Sequence, residues 1–235
     1  MNKNIALIIA GGSGNRMHGD IPKQFVEVDG VPIIVYTLKV FEIHPEITEI
    51  VVICIKEWIN ELENMAERYG ITKLTHIFAG GKTSHESISN GANGLKDKGY
   101  DSDDVILVHD AVRPLISARI ISDNISAARE KGNAVTAIRG YESYLYSEDG
   151  KSSSKYYSRD NMYRVQTPHT FRLGDMLDAF DEAGRKSIVS QSMYVLMAEL
   201  NRYPINLVEG DKLNFKITYP EDCELLKLYH KFHEK

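Results

Sequence analysis

The sequence predicts a doubly wound α/β fold with a mostly parallel sheet, and three observations carry that prediction. Short apolar runs rich in β-branched residues alternate with longer segments of helical period. The first run passes straight into a glycine-rich stretch, the pattern of a strand that turns into a ligand-facing loop. The chain of 235 residues shows no repeat and no linker rich in Gly, Pro or Ser, so a single domain over residues 1–235 is expected.

The elements follow in order. Residues 5–10 (IALIIA) read as a strand buried on both faces, because an uninterrupted apolar run suits a central parallel strand. Residues 49–55 (EIVVICI), 73–78, 104–108 (DVILV) and 133–138 predict further strands. Between them, Ile33, Ile34, Leu38 and Phe41 share one helical face. Ile59, Leu62, Met65 and Ala66 share another, and Ile120, Ile121, Ile125 and Ala128 a third. The rhythm breaks after Gly140. Residues 141–157 are dense in Tyr and Ser and carry Glu148-Asp149-Gly150-Lys151, a good hairpin turn. A projecting β-arm at about 140–158 is expected, either packed on a second subunit or left exposed to solvent. The chain then returns through residues 163–167, helices near 173–183 and 190–201, a strand at 205–208 and a last helix from Pro220.

Composition narrows the function. With 28 Lys+Arg against 33 Asp+Glu, the formal charge of -5 argues against nucleic acid, which selects a basic stripe. A local cluster of cations can still hold a small anion within an acidic chain. The two cysteines, Cys54 and Cys223, have no metal-ligand spacing and are too few for a disulfide scaffold, which fits a reducing cytoplasm. The first apolar run is too short to cross a bilayer and leads to no cleavage site, so neither membrane span nor signal peptide is expected.

Three stretches carry chemistry. The first is Gly11-Gly12-Ser13-Gly14-Asn15-Arg16-Met17, with Pro22-Lys23-Gln24 shortly after. Glycines at the carboxyl end of a parallel strand let backbone N–H groups approach phosphate. The stretch completes neither G-x-G-x-x-G nor a P-loop, and a tight turn with solvated basic residues is the competing reading. The second is Val108-His109-Asp110-Ala111-Val112-Arg113-Pro114. There Asp110 could hold Mg²⁺ and Arg113 could pair with phosphate, or the two could form a structural pair at the next helix. The third is Leu213-Asn214-Phe215-Lys216-Ile217-Thr218. Its apolar neighbours suggest a partly buried Lys216 in need of an anionic partner, while Thr218 and Pro220 look like a helix cap and first turn.

Taken together, these stretches resemble the CTP-dependent cytidylyltransferases that act on sugar-alcohol phosphates. The likeness spans nearly the whole chain: AGGSGNRM with PKQF, Gly80-Gly81 followed by Ser87-Ile88, VHDAVRP, Ser158-Arg159 before Gln166-Thr167-Pro168, and FKITYPED. It implies a Rossmann-like nucleotidyltransferase fold and a homodimer joined through the β-arms. It also implies transfer of CMP from CTP to a polyol phosphate with release of pyrophosphate. On this resemblance Gly11, Gly12, Gly14, Arg16 and Lys23 fall on the triphosphate, and Ala10, Gly81 and Ser87 near the cytidine. Asp110 would hold Mg²⁺. Arg113, Ser143, Arg159 and Thr167 fall on the acceptor side, with Arg159 reaching toward the partner's site, and Lys216 near the reacting centre. Arg16, Lys23 and Lys216 have the sign needed to neutralise charge in the transition state. Plainer roles remain open at this point: Ser87 could cap the helix after it, and Thr167 could be a turn residue before Pro168.

The departures lie mostly on the acceptor side. Ser84 stands where the family usually has Arg, Glu142-Ser143 where it has Asp-Thr, and His169 where it has Gln. The Thr-Asp that usually opens the penultimate helix is absent, with Ser190-Gln191-Ser192 nearby. The wording around Trp58 and in RPLISARIISDNI is similar to the ribitol-phosphate branch, that of KITYPED to the methylerythritol-phosphate branch. Because the departures gather on the acceptor side, ribitol 5-phosphate or a related polyol phosphate for surface-polysaccharide synthesis is the expected acceptor, with the methylerythritol phosphate of isoprenoid synthesis second. A catalytically silent nucleotide-binding homologue, favoured by Ser84, is the rival from outside the enzyme class.

Overall fold

The apolar runs pair side by side because each buries both faces, and only a sheet covered by helices on both sides offers that. The computed structural model describes residues 2–12 and 21–233. Gly14 and Arg16 lie outside the described residues. Strand β1 (Asn4–Ala10) is followed by a 3-10 turn at Lys23–Phe25, the small ribbon β2 (Glu27–Val28) and β3 (Val31–Pro32), and helix α1 (Ile33–Ile43). Strand–helix pairs succeed one another: β4 (Glu49–Cys54) with α2 (Ile59–Tyr69), β5 (Leu74–Ala79) with α3 (Ser84–Asp97), β6 (Val105–Asp110) with α4 (Ala118–Lys131). Then come β7 (Asn133–Arg139), the arm strands β8 (Tyr144–Tyr146) and β9 (Lys155–Tyr157), and the long β10 (Tyr163–Arg172). Helices α5 (Leu173–Lys186) and α6 (Met193–Glu199), strand β11 (Leu207–Glu209) and helix α7 (Pro220–His233) complete the described chain.

The seven-stranded sheet has the order β11-β7-β10-β6-β1-β4-β5. Side chains alternate across it, so Ala6, Ile8 and Ala10 join one core with α1, α2 and α4. Ile5 and Leu7 join the opposite core with α3, α5 and α6. A smaller cluster around Val112, Ile217 and Leu226 seats α7. From β1 the chain winds outward through β4 and β5, then crosses back to place β6 on the other side of β1. The winding reverses between β1 and β6, which is where this class of sheet opens a crevice for ligands.

Two elements differ from the sequence expectation. The return at residues 163–167 is the start of a ten-residue strand that enters the centre of the sheet, antiparallel to both β6 and β7. Its register shifts between Val165 and His169, the stretch that holds the cis Thr167–Pro168 bond, as suits a residue with no N–H to give. The helix expected over 190–201 begins only at Met193. The arm is a hairpin closed by Asp149, whose carboxylate accepts from the backbone N–H groups of Lys151 and Ser152. Leu145 and Tyr156 on it are 73% and 75% exposed.

Candidate active site

The carboxyl ends of β1 and β6 meet at the reversal point, with Ile9 beside Asp110. Asp110 is the hub. Its Oδ2 accepts from Arg113 Nε at 2.7 Å and its Oδ1 from Lys216 Nζ at 2.9 Å. The anionic partner expected for Lys216 is therefore Asp110, although the lysine side chain remains 40% exposed. Burial alone opposes ionisation of Asp110, but the Lys216 ammonium and Arg113 guanidinium outweigh it and hold the carboxyl well below the usual range. Arg113 also donates through Nη1 to the Asn214 carbonyl, so it clamps the 213–218 segment to the end of β6. Lys23 joins from the other side, donating to the Ile217 carbonyl at 3.3 Å.

Beneath this cluster lies a buried relay. Thr167 Oγ1 accepts the Asp110 backbone N–H at 3.1 Å, and the same hydroxyl lies 3.0 Å from His109 Nδ1. The opposite ring nitrogen of His109 is 3.3 Å from the Arg113 carbonyl, which can only accept. This assigns a neutral ring: Nε2–H donates to Arg113, and Nδ1 accepts the Thr167 hydroxyl proton. Burial above all pushes the His109 imidazole down to about 3, so it stays uncharged beside two cations and a carboxylate. Thr167 is thus the residue that fixes the end of β6 and not merely a turn residue before Pro168.

On the other side of β1 the strand end is lined with glycine. A Cβ at Gly11 would lie 3.2 Å from Ser87 Oγ, and one at Gly81 only 2.2 Å from Glu86 Cβ. Among the described residues a Cβ at Gly12 would meet nothing within 4 Å, and Gly12 is exposed. Ser87 lies inside α3 and accepts the Gly81 N–H at 3.0 Å, while Thr83 caps the helix by accepting from Glu86 N–H. A capping role for Ser87 is excluded. Its hydroxyl holds the loop after β5 and sits close against Gly11 at the end of β1. Ala10 is buried, and its carbonyl accepts from Gln24 Nε2 at 2.7 Å, with Gly12 O accepting from the same amide.

The chain thus brings Ala10, Gly11, Gly12, Gly81 and Ser87 to one wall, and Lys23, Asp110, Arg113, Thr167 and Lys216 to the other. Ser143 lies on the exposed arm and Arg159 in a 3-10 turn at its foot, and neither bonds to this cluster among the described residues. The Asp110–Arg113 pair does not cap the next helix, since Ser117 caps α4. Nor does Thr218 cap α7. Asp222 reaches back to accept the N–H groups of Thr218 and Tyr219, and the Thr218 hydroxyl donates to the Lys216 carbonyl. Sequence reasoning missed His109 and Gln24 as organisers, though both stand inside the quoted motifs VHDAVRP and PKQF. A polar residue within a strand or turn that is otherwise buried was the available signal.

Asp110 suits Mg²⁺ as a lone carboxylate. It is a hard oxygen donor, fully ionised, and each oxygen keeps a second lone-pair direction beside its present cation contact. Among the described residues no group of three or more His, Cys, Asp or Glu gathers to make an all-protein cage, so the remaining ligands would be water and phosphate.

Fold and site together define a Rossmann-like α/β protein with a crevice at the reversal of its sheet, lined by glycines on one side and by Lys23, Asp110, Arg113 and Lys216 on the other. Residues 4–231 match the IspD family, described as 2-C-methyl-D-erythritol 4-phosphate cytidylyltransferase, and the chain belongs to that family. It is 37% identical over 227 residues to ribitol-5-phosphate cytidylyltransferase of Lacticaseibacillus paracasei, covering 95% of this chain and 96% of that one. It is likewise 37% identical over 228 residues to 2-C-methyl-D-erythritol 4-phosphate cytidylyltransferase of Clostridium novyi, covering 96% and 95%. The crystal structure of 4-diphosphocytidyl-2C-methyl-D-erythritol synthase from Anaerococcus prevotii shares the fold, with a TM-score of 0.82 at 24% identity over 98% and 99% of the two chains. The resemblance seen in the motifs therefore holds at the level of the family.

Proposed function

We propose that this chain transfers CMP from CTP to ribitol 5-phosphate or a closely related polyol phosphate, releasing pyrophosphate. The observation that carries the proposal is the Asp110 carboxylate held between Arg113 and Lys216, beside the glycine-lined end of β1, in a chain of this family. An oxygen of the acceptor phosphate attacks the α-phosphorus of CTP, and the bond from that phosphorus to the bridging oxygen breaks, so pyrophosphate leaves with the electron pair. The nucleophile is already an anion, so neither an activated Ser or Cys nor a strong base is needed. What the chain supplies is alignment of two anions and positive charge where negative charge gathers.

Each side chain has a part in this reading. Lys23 and Arg16 attract the triphosphate, and Gly11, Gly12 and Gly14 admit it to the backbone. Ala10, Gly81 and Ser87 form the floor under the cytosine. Lys216 stands over the reacting centre, and Asp110 orients it. Arg113 and Thr167 hold Asp110 in place, while Ser143 and Arg159 come to the acceptor from the arm of a second copy. Asp110 is the residue to hold Mg²⁺, which when bound supplies charge neutralisation on the triphosphate. A cytoplasmic homodimer suits these substrates and the exposed arm.

Methylerythritol phosphate is the second reading, favoured by the family description and by the Clostridium novyi relative. The test is release of pyrophosphate from CTP with ribitol 5-phosphate, methylerythritol phosphate and other polyol phosphates in parallel, with and without Mg²⁺. Turnover with ribitol 5-phosphate well above the rest is expected. Preference for methylerythritol phosphate selects the second reading, and no turnover with any acceptor marks a silent homologue.

A further inference from the structure

The stretch around Trp58 carries part of the likeness to the ribitol-phosphate branch, yet no step of the proposed reaction employs it. Trp58 ends the 3-10 turn Lys56–Trp58 that follows β4, and its backbone N–H donates to the Ile55 carbonyl at 2.9 Å. Helix α2 starts at the next residue and buries Leu62, Met65 and Ala66, so the Trp58 backbone is fixed between a strand end and a packed helix. Its ring lies against Phe25, with centroids 4.5 Å apart and planes 13° from parallel. A stacked pair at this range adds to what burial alone supplies.

Phe25 belongs to the turn that presents Lys23. Pro22, Gln24 and Phe25 are buried, and Lys23 alone of the four is half-buried. Where the lysine stem begins is therefore set by how its three neighbours are seated. The Pro22 carbonyl accepts the Phe25 N–H at 2.8 Å, which closes the turn on itself. Gln24 ties the turn to β1 by donating to the Ala10 and Gly12 carbonyls. Phe25, stacked against Trp58, ties it to the segment after β4. Those two strands are neighbours, with Ala10 beside Cys54. Anchors on both fix a turn that a single anchor would let rotate.

We propose that Trp58 is a positioning residue for Lys23, its ring setting where the lysine ammonium meets the triphosphate. The inference rests on the proposed function and adds to it a residue that lies outside the glycine-rich loop. A lysine ammonium is a point charge on a flexible four-carbon stem, so its reach toward a phosphate depends on where its backbone is held. The Gly12 carbonyl shares the Gln24 amide with Ala10, so a turn that shifts also disturbs the glycine backbone beside it. Removing the flat face of Trp58 therefore weakens nucleotide binding through Lys23, although Trp58 itself need touch no phosphate.

The experiment titrates CTP with Mg²⁺ into the full chain by calorimetry, with thermal unfolding to confirm that each variant folds. Trp58→Leu keeps Phe25 covered but removes the flat face, whereas Trp58→Phe keeps both. Trp58→Leu should raise the Kd for CTP about 3- to 10-fold, and Trp58→Phe should stay within about twofold of the parent. Phe25→Leu removes the same stack from the other partner and should reproduce the Trp58→Leu loss. Added to Lys23→Ala, Trp58→Leu should cost less than about twofold, because a residue that acts through Lys23 then has nothing left to position. A merely structural role would show its full effect in either background. An unchanged Kd for Trp58→Leu or Phe25→Leu, or an equal loss with and without Lys23, overturns the inference and leaves the proposed function standing. If the parent binds no CTP, the proposed function has failed and titration with pyrophosphate decides the inference. Weaker pyrophosphate binding by Trp58→Leu that vanishes in the Lys23→Ala background supports it, and any other pattern, absent binding included, overturns it.

Discussion

Replacing Thr167 by Val tests the relay beneath Asp110. The two side chains have nearly the same shape, so the change removes a hydroxyl without opening a cavity. Thr167 is only 8% exposed, and water cannot readily take the place of its oxygen. Two buried groups lose their partner: the Asp110 N–H at 3.1 Å and His109 Nδ1 at 3.0 Å. Each orphaned group costs about 1–3 kcal/mol. The groups share one hydroxyl and relax together, so the sum falls short of additive and about 2–4 kcal/mol is expected. Thr167→Ser keeps the oxygen and should recover most of that loss. Urea denaturation of the three proteins at one pH, with unchanged slope, reads the difference directly. Turnover should fall with Val as well, because the end of β6 carries the carboxylate that holds Lys216. A Val variant within 0.5 kcal/mol of the parent, or a Ser variant as damaged as Val, would refute the relay.

Lys216→Ala should lower kcat by about 10²–10³ while the CTP KM moves only a few-fold, since its charge acts mainly on the transition state; steady-state kinetics within a few-fold of the parent would remove Lys216 from the reaction. Acid should destabilise the protein early. Burial holds His109 and His169 neutral, at about 3 and about 4, whereas the unfolded chain protonates both near 6.5. Stability from this pair is complete above about pH 6.5 and declines as pH falls toward 4, by about 4 kcal/mol between pH 7 and pH 5. Urea midpoints that stay level across that interval would contradict the buried neutral assignment. Deleting residues 147–154 should shift the protein toward monomer in sedimentation and raise the acceptor KM more than that for CTP. An intact protein that sediments as a fully active monomer would exclude an interlocking arm.

Much of this molecule was legible in the chain, because some physical requirements are local. A strand buried on both faces must be apolar at every position, so IALIIA and EIVVIC declare themselves without knowledge of their neighbours. The glycines at 80–81 and 11–12 mark strand ends for the same reason, since a side chain at Gly81 would collide with Glu86. What pairs with what is a different matter. Lys216 and Asp110 are 106 positions apart, and Thr167 and His109 are 58. No local pattern encodes such a meeting, because it depends on the order of strands in the sheet. β10 shows this most clearly: its composition suits an edge or a return loop, with Pro168 inside, yet it enters between β6 and β7 and runs against them. That placement brings Thr167 under Asp110. The sequence by itself determined the parallel core, the glycine-lined strand ends and the kinds of charge available. The tertiary structure alone decided which charges neutralise one another, as Asp110 does with Arg113 and Lys216, because that outcome depends on distances set by long-range strand pairing.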